Sequence, residues 1–177
     1  MADNLLLGPE AGVNHSLALL RSDAFEKQVD PRVDLGPGIF FSVDPEASIS
    51  GSLSSAHGML LSLRLNPHGA TRWISVHLQL GQADLRQVQM LGVVCRSQAP
   101  KSVTFRMTLR SGVAGGFVDT MFRKTAVAYN EPSVHMDVID LTRDPSVPRE
   151  APWREIILMF DTTAIEVSLL NFGVFSI

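Results

Sequence analysis

The sequence predicts an all-β chain folded as an antiparallel two-sheet β-sandwich, with an irregular, partly helical N-terminal segment in front of it. Three observations predict it. In residues 72–80 the apolar Ile74, Val76, Leu78 and Leu80 alternate with Ser75, His77 and Gln79, the period of two that places one face of a strand in a core. Short runs of this kind recur down the chain from Ile39 to Ile177, at the spacing of a sandwich or barrel. Between them stand turn formers: Asn66-Pro67-His68-Gly69, Gln98-Ala99-Pro100-Lys101, Gly115-Gly116 and Asn130-Glu131-Pro132.

The elements follow in order. From Asn4 to about Pro37 the pattern is irregular, with one short helix expected around His15 to Lys27, where Leu17, Leu20 and Phe25 share a face. Asp30-Pro31 and Gly36-Pro37-Gly38 are turn signals, and regular strands are expected to begin near Ile39. Strands are expected at 39–43, 47–53, 59–65, 72–80, 88–97, 102–111, 117–127, 134–141, 155–161 and 165–177. Residues 142–152 hold Pro145, Pro148 and Pro152 and read as a crossover loop. A length of 177 residues with 45% hydrophobic content suits one domain, with 1–38 as an N-terminal wrap and 39–177 as strands.

Composition excludes several function classes. Fifteen basic residues against 18 acidic ones give a formal charge of −3, so no basic field draws the chain to nucleic acid or anionic lipid. Met1-Ala2-Asp3-Asn4 followed only by Leu5-Leu6-Leu7 is no secretory signal. No apolar run approaches the roughly 20 residues that span a bilayer. A cytoplasmic location is the default expectation, with export by another route left open. The single cysteine, Cys95, lies in the run Leu91-Gly92-Val93-Val94-Cys95 and reads as a small buried hydrophobe. His15, His57, His68, His77 and His135 show no zinc-site spacing, and Ser54-Ser55 with His57 read as a flexible loop.

The parts from Asp84-Leu85 onward resemble the galactose-binding-like jelly-roll superfamily, the β-sandwich of many carbohydrate-binding modules. The resemblance rests on Asp84-Leu85, Val93-Val94-Cys95-Arg96-Ser97, the strand Val103 to Arg110, Gly115-Gly116-Phe117-Val118-Asp119-Thr120-Met121-Phe122 and Pro152-Trp153-Arg154-Glu155-Ile156-Ile157. It covers about residues 83–177. Asn4-Leu5-Leu6 and Phe25-Glu26 look like the opening elements of such modules. It implies a jelly-roll β-sandwich that binds a glycan and needs no catalytic cofactor. In such modules the Glu often helps hold a structural calcium with an Asp on the final strand, where this chain has Asn171.

If Val103, Phe105, Met107 and Leu109 point inward, then Thr104, Arg106, Thr108 and Arg110 point outward together. With Arg96 on an adjacent strand, three like charges would share one face and require a carboxylate, Asp119 or Asp137, or an anionic ligand. The expected ligand-binding residues are therefore Arg96, Arg106, Arg110, Asp119, His77 and Trp73 on a polar concave face. Trp153 reads as a loop-anchoring core residue, and no catalytic or metal site is expected. The leading reading is a non-catalytic carbohydrate-binding module. Its alternative is a protein-interaction module that docks through an exposed sheet face or the C-terminal strand from Phe172 to Ile177. A third reading, an enzyme with a shallow acid–base site at His77 and Asp119, has no motif in its favour.

Overall fold

A computed structural model describes residues 8–177; Asn4-Leu5-Leu6, on which part of the resemblance rests, lies outside them. Among the described residues one helix, α1 (Ala11–Ser22), is followed by thirteen strands: β1 (Phe25–Gln28), β2 (Arg32–Gly36), β3 (Ile39–Val43), β4 (Ile49–Ser55), β5 (Leu61–Pro67), β6 (Ile74–Gly81), β7 (Met90–Gln98), β8 (Val103–Val113), β9 (Gly116–Met121), β10 (Ala126–Ala128), β11 (Ser133–Asp140), β12 (Arg154–Phe160) and β13 (Ile165–Ser176). They form a six-stranded sheet, β1-β4-β5-β13-β7-β11, and a seven-stranded sheet, β10-β8-β12-β6-β3-β2, with β9 also pairing β8. Every pairing is antiparallel. The chain is thus a two-sheet jelly-roll β-sandwich, the antiparallel sandwich that its alternation predicts with the jelly-roll form that the resemblance implies.

Alternation decides the inner layer. Val76 and Leu78 of β6, Phe105, Met107 and Leu109 of β8, and Ile156 and Leu158 of β12 meet Leu63, Leu91, Val93, Val167 and Leu169 of the other sheet in one buried core. Burying a side chain such as Phe41 or Phe105, at 0% and 1% exposure, contributes about 1.5–3 kcal/mol. Cys95 belongs to this core, and burial pushes its thiol pKa up to about 12, so it stays protonated.

The N-terminal region is more regular than its sequence suggests. The helix begins and ends earlier than expected, and it buries Val13, Leu17 and Leu20 at helical spacing. Phe25 is not on it; β1 and β2 occupy 25–36, so strands start before Ile39. The helix replaces a missing strand: β5 pairs β13 only as far as Leu169, and beyond it the Asn14 side chain donates to the Val174 carbonyl at 2.7 Å and accepts from the Val174 N–H at 2.9 Å. A side-chain amide thereby satisfies a sheet edge.

Two further differences matter for function. The expected strand 117–127 is broken into β9 and β10, because Lys124 turns toward the other sheet, donating its backbone N–H to Asp137 (2.6 Å) and its ammonium to the Met136 carbonyl (3.0 Å). β7 and β8 are consecutive but lie in different sheets. The crossover loop 142–152 is pinned from below by Arg154, 1% exposed, which donates to the carbonyls of Ala83 (2.8 Å) and Pro148 (2.6 Å) and to Ser111 Oγ.

Candidate ligand groove on the seven-stranded sheet

The outer face of the seven-stranded sheet is organised in rows set by strand register. One row runs Arg32, Ser42, Ser75, Met159, Arg106. The next runs Asp34, Phe40, His77, Ile157, Thr108, Met121. A third runs Gln79, Glu155, Arg110, Asp119, and beyond it Gly112 faces Phe117. From Arg106 to Gly112, six residue-to-residue steps of about 3.4 Å each make a face about 20 Å long.

That face is recessed. Side chains that point away from the core are nevertheless covered: Ile157 is 0% exposed, Thr108 1%, Ser75 2%, Glu155 8% and Phe40 8%. The outer face of the six-stranded sheet is different, since Arg64, Val94, Arg96, Val134, Met136 and Glu166 stand exposed on it. A depression of about 480 Å³ opens above the floor, lined by Ser42, Arg72, Trp73, Ser75, His77, Arg110, Ile157 and Met159. Trp73 is half-buried at one end, its indole N–H donating to Ser42 Oγ at 3.4 Å. Arg72 lies over its ring at 5.2 Å and is fixed by Asp44 at 2.6 and 2.7 Å and by Glu46 at 3.0 Å. Those bonds hold the buried Asp44 carboxyl far below the usual carboxylate range.

The middle of the groove is a polar network. His77 Nδ1 lies 3.1 Å from Glu155 Oε2 and its Nε2 lies 3.0 Å from Ser75 Oγ, while its ring stacks on Phe40 at 4.4 Å and 10°. Arg110 grips Asp119 with two bonds of 2.7 Å, reaches Glu155 at 3.9 Å and lies 3.9 Å over the Phe117 ring. Asp119 above all holds this guanidinium firmly protonated. At the far end Trp153, 40% exposed, covers Gly112, where any Cβ would overlap the indole. Phe117 beside it is 52% exposed. Trp153 is therefore a rim residue of this face and not the buried anchor its loop position suggests.

Trp73, His77, Arg106, Arg110 and Asp119 come together on this face. Arg96 does not: β7 has β11 and β13 as neighbours, so Arg96 stands on the outer face of the opposite sheet beside Val134 and Asn171. Asp137 is likewise elsewhere, buried at 4% and accepting from the Lys124 and Val138 amides. His135 shares its inward-facing side, where burial lowers its pKa and leaves Nε2 unpartnered. Glu155, Phe40, Ser42, Arg72 and Met159 join them, and strand alternation alone does not reveal this, because their place depends on sheet order.

Ser75, His77 and Glu155 are linked like a nucleophile, base and orienting acid. Ser75 is too deep for attack at 2% exposure, its hydroxyl also lies 3.1 Å from the Ser42 carbonyl, and the adjoining strand amides belong to ladders. Ser54 and Ser55, expected in a loop, end β4. Glu26 and Asn171, the positions the resemblance associates with calcium, sit on β1 and β13 with β4 and β5 between them. Among the described residues no three His, Cys, Asp or Glu side chains gather as a metal site would need, and no helix is long and apolar enough to cross a membrane.

No family model matches the chain, and no curated protein matches its sequence. Solved structures do match its fold. A family 4 carbohydrate-binding module superposes with a TM-score of 0.57 at 11% identity, over 78% of this chain and 87% of that one. The family 11 module of Clostridium thermocellum, in complex with a β-1,3-1,4-mixed-linked tetrasaccharide, gives 0.52 at 12% identity, over 86% and 96%. The xyloglucanase domain of a type three effector from Sinorhizobium fredii, in complex with cellobiose, gives 0.55 at 7% identity, over 86% and 99%. At such identities the likeness is one of fold. The chain has the jelly-roll β-sandwich fold of carbohydrate-binding modules.

Proposed function

We propose that the chain is a non-catalytic glycan-binding module, one domain over 1–177, that holds an oligosaccharide in the groove of its seven-stranded sheet. The observation behind this reading is the recessed floor that combines Trp73 at one end, a hydrogen-bonding centre at His77, Arg110 and Asp119 held from beneath by Ser75 and Glu155, and the exposed Trp153 and Phe117 at the other end. Indole faces accept the apolar side of a pyranose, and fixed polar groups orient its hydroxyls. Likeness of fold to a module solved with a tetrasaccharide supports the same reading.

A glycan array on the purified protein tests it. Selective binding that is lost in Trp73→Ala and in Arg110→Ala, with both variants folded by circular dichroism, is the expected result.

A protein-interaction module is the second reading, favoured by the exposed Val94, Val134 and Met136, which adjoin on the outer face of the six-stranded sheet. The C-terminal segment from Phe172 lies beyond the reach of β5, but it is not a free edge: β7 pairs it on one side, and Asn14 and Glu10 bond Val174 and Ser176 on the other.

A further inference from the structure

We infer that the groove prefers a glycan carrying a carboxylate, a uronic acid, and that Arg106 is the residue that selects it. This rests on the glycan-binding reading. Four arginines present guanidiniums along the face, and three are matched by the chain's own acids. Arg32 pairs with Asp34 at 3.2 Å, Arg72 with Asp44 and Glu46 at 2.6 and 3.0 Å, and Arg110 with Asp119 at 2.7 Å. Arg106 is exposed and has no carboxylate within ion-pair distance among the described residues.

Its surroundings explain why. Its cross-strand partner is Met159, which also lines the depression beside Trp73. The nearest acid in that direction is Asp161, just past the end of β12, whose Oδ2 accepts from Thr104 Oγ1 at 2.6 Å. Arg106 and Trp73 are borne by strands two apart in the sheet, since β12 separates β8 from β6. At about 4.8 Å per strand that is roughly 10 Å across the sheet, and the two-residue offset of Trp73 from the row of Arg106 adds about 7 Å along it, so the two positions lie about 12 Å apart, room for one sugar ring between the indole and the guanidinium with an exocyclic carboxylate directed at the latter. A guanidinium presents parallel N–H donors that a planar carboxylate accepts in pairs, so a uronate would complete at Arg106 the ion pair the protein itself completes at the other three arginines.

The test uses the full chain and matched pairs of oligosaccharides, neutral and carboxylated at C6, on glucan, xylan and mannan backbones, measured by calorimetry at low and high salt. For xylan, which lacks C6, the acidic member carries glucuronic acid branches. The expected result is an acidic-to-neutral affinity ratio of about ten to a hundred, as a charge-assisted contact gives. The ratio should shrink with salt. It should fall to near one in Arg106→Gln and be partly kept in Arg106→Lys. Equal affinity for the two members of a pair, or a preference that survives in Arg106→Gln, overturns the assignment while leaving the glycan reading intact. Absence of binding to every member overturns both.

Discussion

Arg110 on β8 and Asp119 on β9 face each other across a register pair, with two guanidinium nitrogens each 2.7 Å from a different carboxylate oxygen. The pair is partly covered, and its guanidinium also reaches toward Glu155, which holds His77. One acid on an edge strand therefore orders the polar centre of the groove.

Asp119→Asn should weaken glycan binding by releasing Arg110, while costing only about 1 kcal/mol of stability, because a pair this close to solvent is worth little to the fold. Parallel affinity measurements and urea melts check the split. A loss of stability several times larger would make the pair a structural one.

Asp44 should govern acid tolerance near Trp73. Its carboxyl is held low in the folded chain, first by hydrogen bonds from Arg72, so its contribution is present above the unfolded carboxylate pKa and is lost as pH falls from about 4 downward. Asp44→Asn should lower the melting temperature at pH 7 and make it fall less steeply between pH 4 and pH 2. An unchanged acid slope would show that other carboxyls dominate.

Gly112→Ala should displace Trp153, since a Cβ there overlaps the indole. The strain is expected to cost about 1–3 kcal/mol. The chain has two tryptophans, so in a Trp73→Phe background the fluorescence reports Trp153 alone. Its emission should shift to the red in the variant.

Arg154→Met should destabilise the fold by about 2–4 kcal/mol, because the carbonyls of Ala83 and Pro148 and the Ser111 hydroxyl would lose their donors inside the protein. Denaturant unfolding measures this. Release of residues 142–152 should appear as faster amide exchange there.

Much of this architecture is legible in the chain, because a period of two states which side chains face the core. Ser75, His77 and Gln79 on one side of β6, and Arg106 and Arg110 on one side of β8, follow from parity alone. Which strands are neighbours does not follow. In this sandwich the chain crosses from one sheet to the other between β7 and β8, which puts Arg96 on the opposite face, and β12 lies between β8 and β6, which brings Glu155, 78 residues away in sequence, to His77. The strands β1 and β2 were hidden for a different reason: they are short edge strands, four and five residues long, with exposed residues such as Glu26, Lys27, Arg32 and Asp34 that give no apolar run. The place of Trp153 is not legible locally because the residue that lets it lie on the sheet, Gly112, is 41 positions earlier.

Amide chemical-shift mapping with ¹⁵N-labelled protein, titrated with neutral and acidic oligosaccharides, tests the central claim most directly. Binding at the groove predicts shifts concentrated at Trp73, Ser75, His77, Arg106, Thr108, Arg110 and Met159, together with the side-chain N–H of Trp73. Saturating oligosaccharide that leaves these signals unmoved, or that moves instead those of Val94, Val134 and Met136 on the opposite sheet, would contradict it.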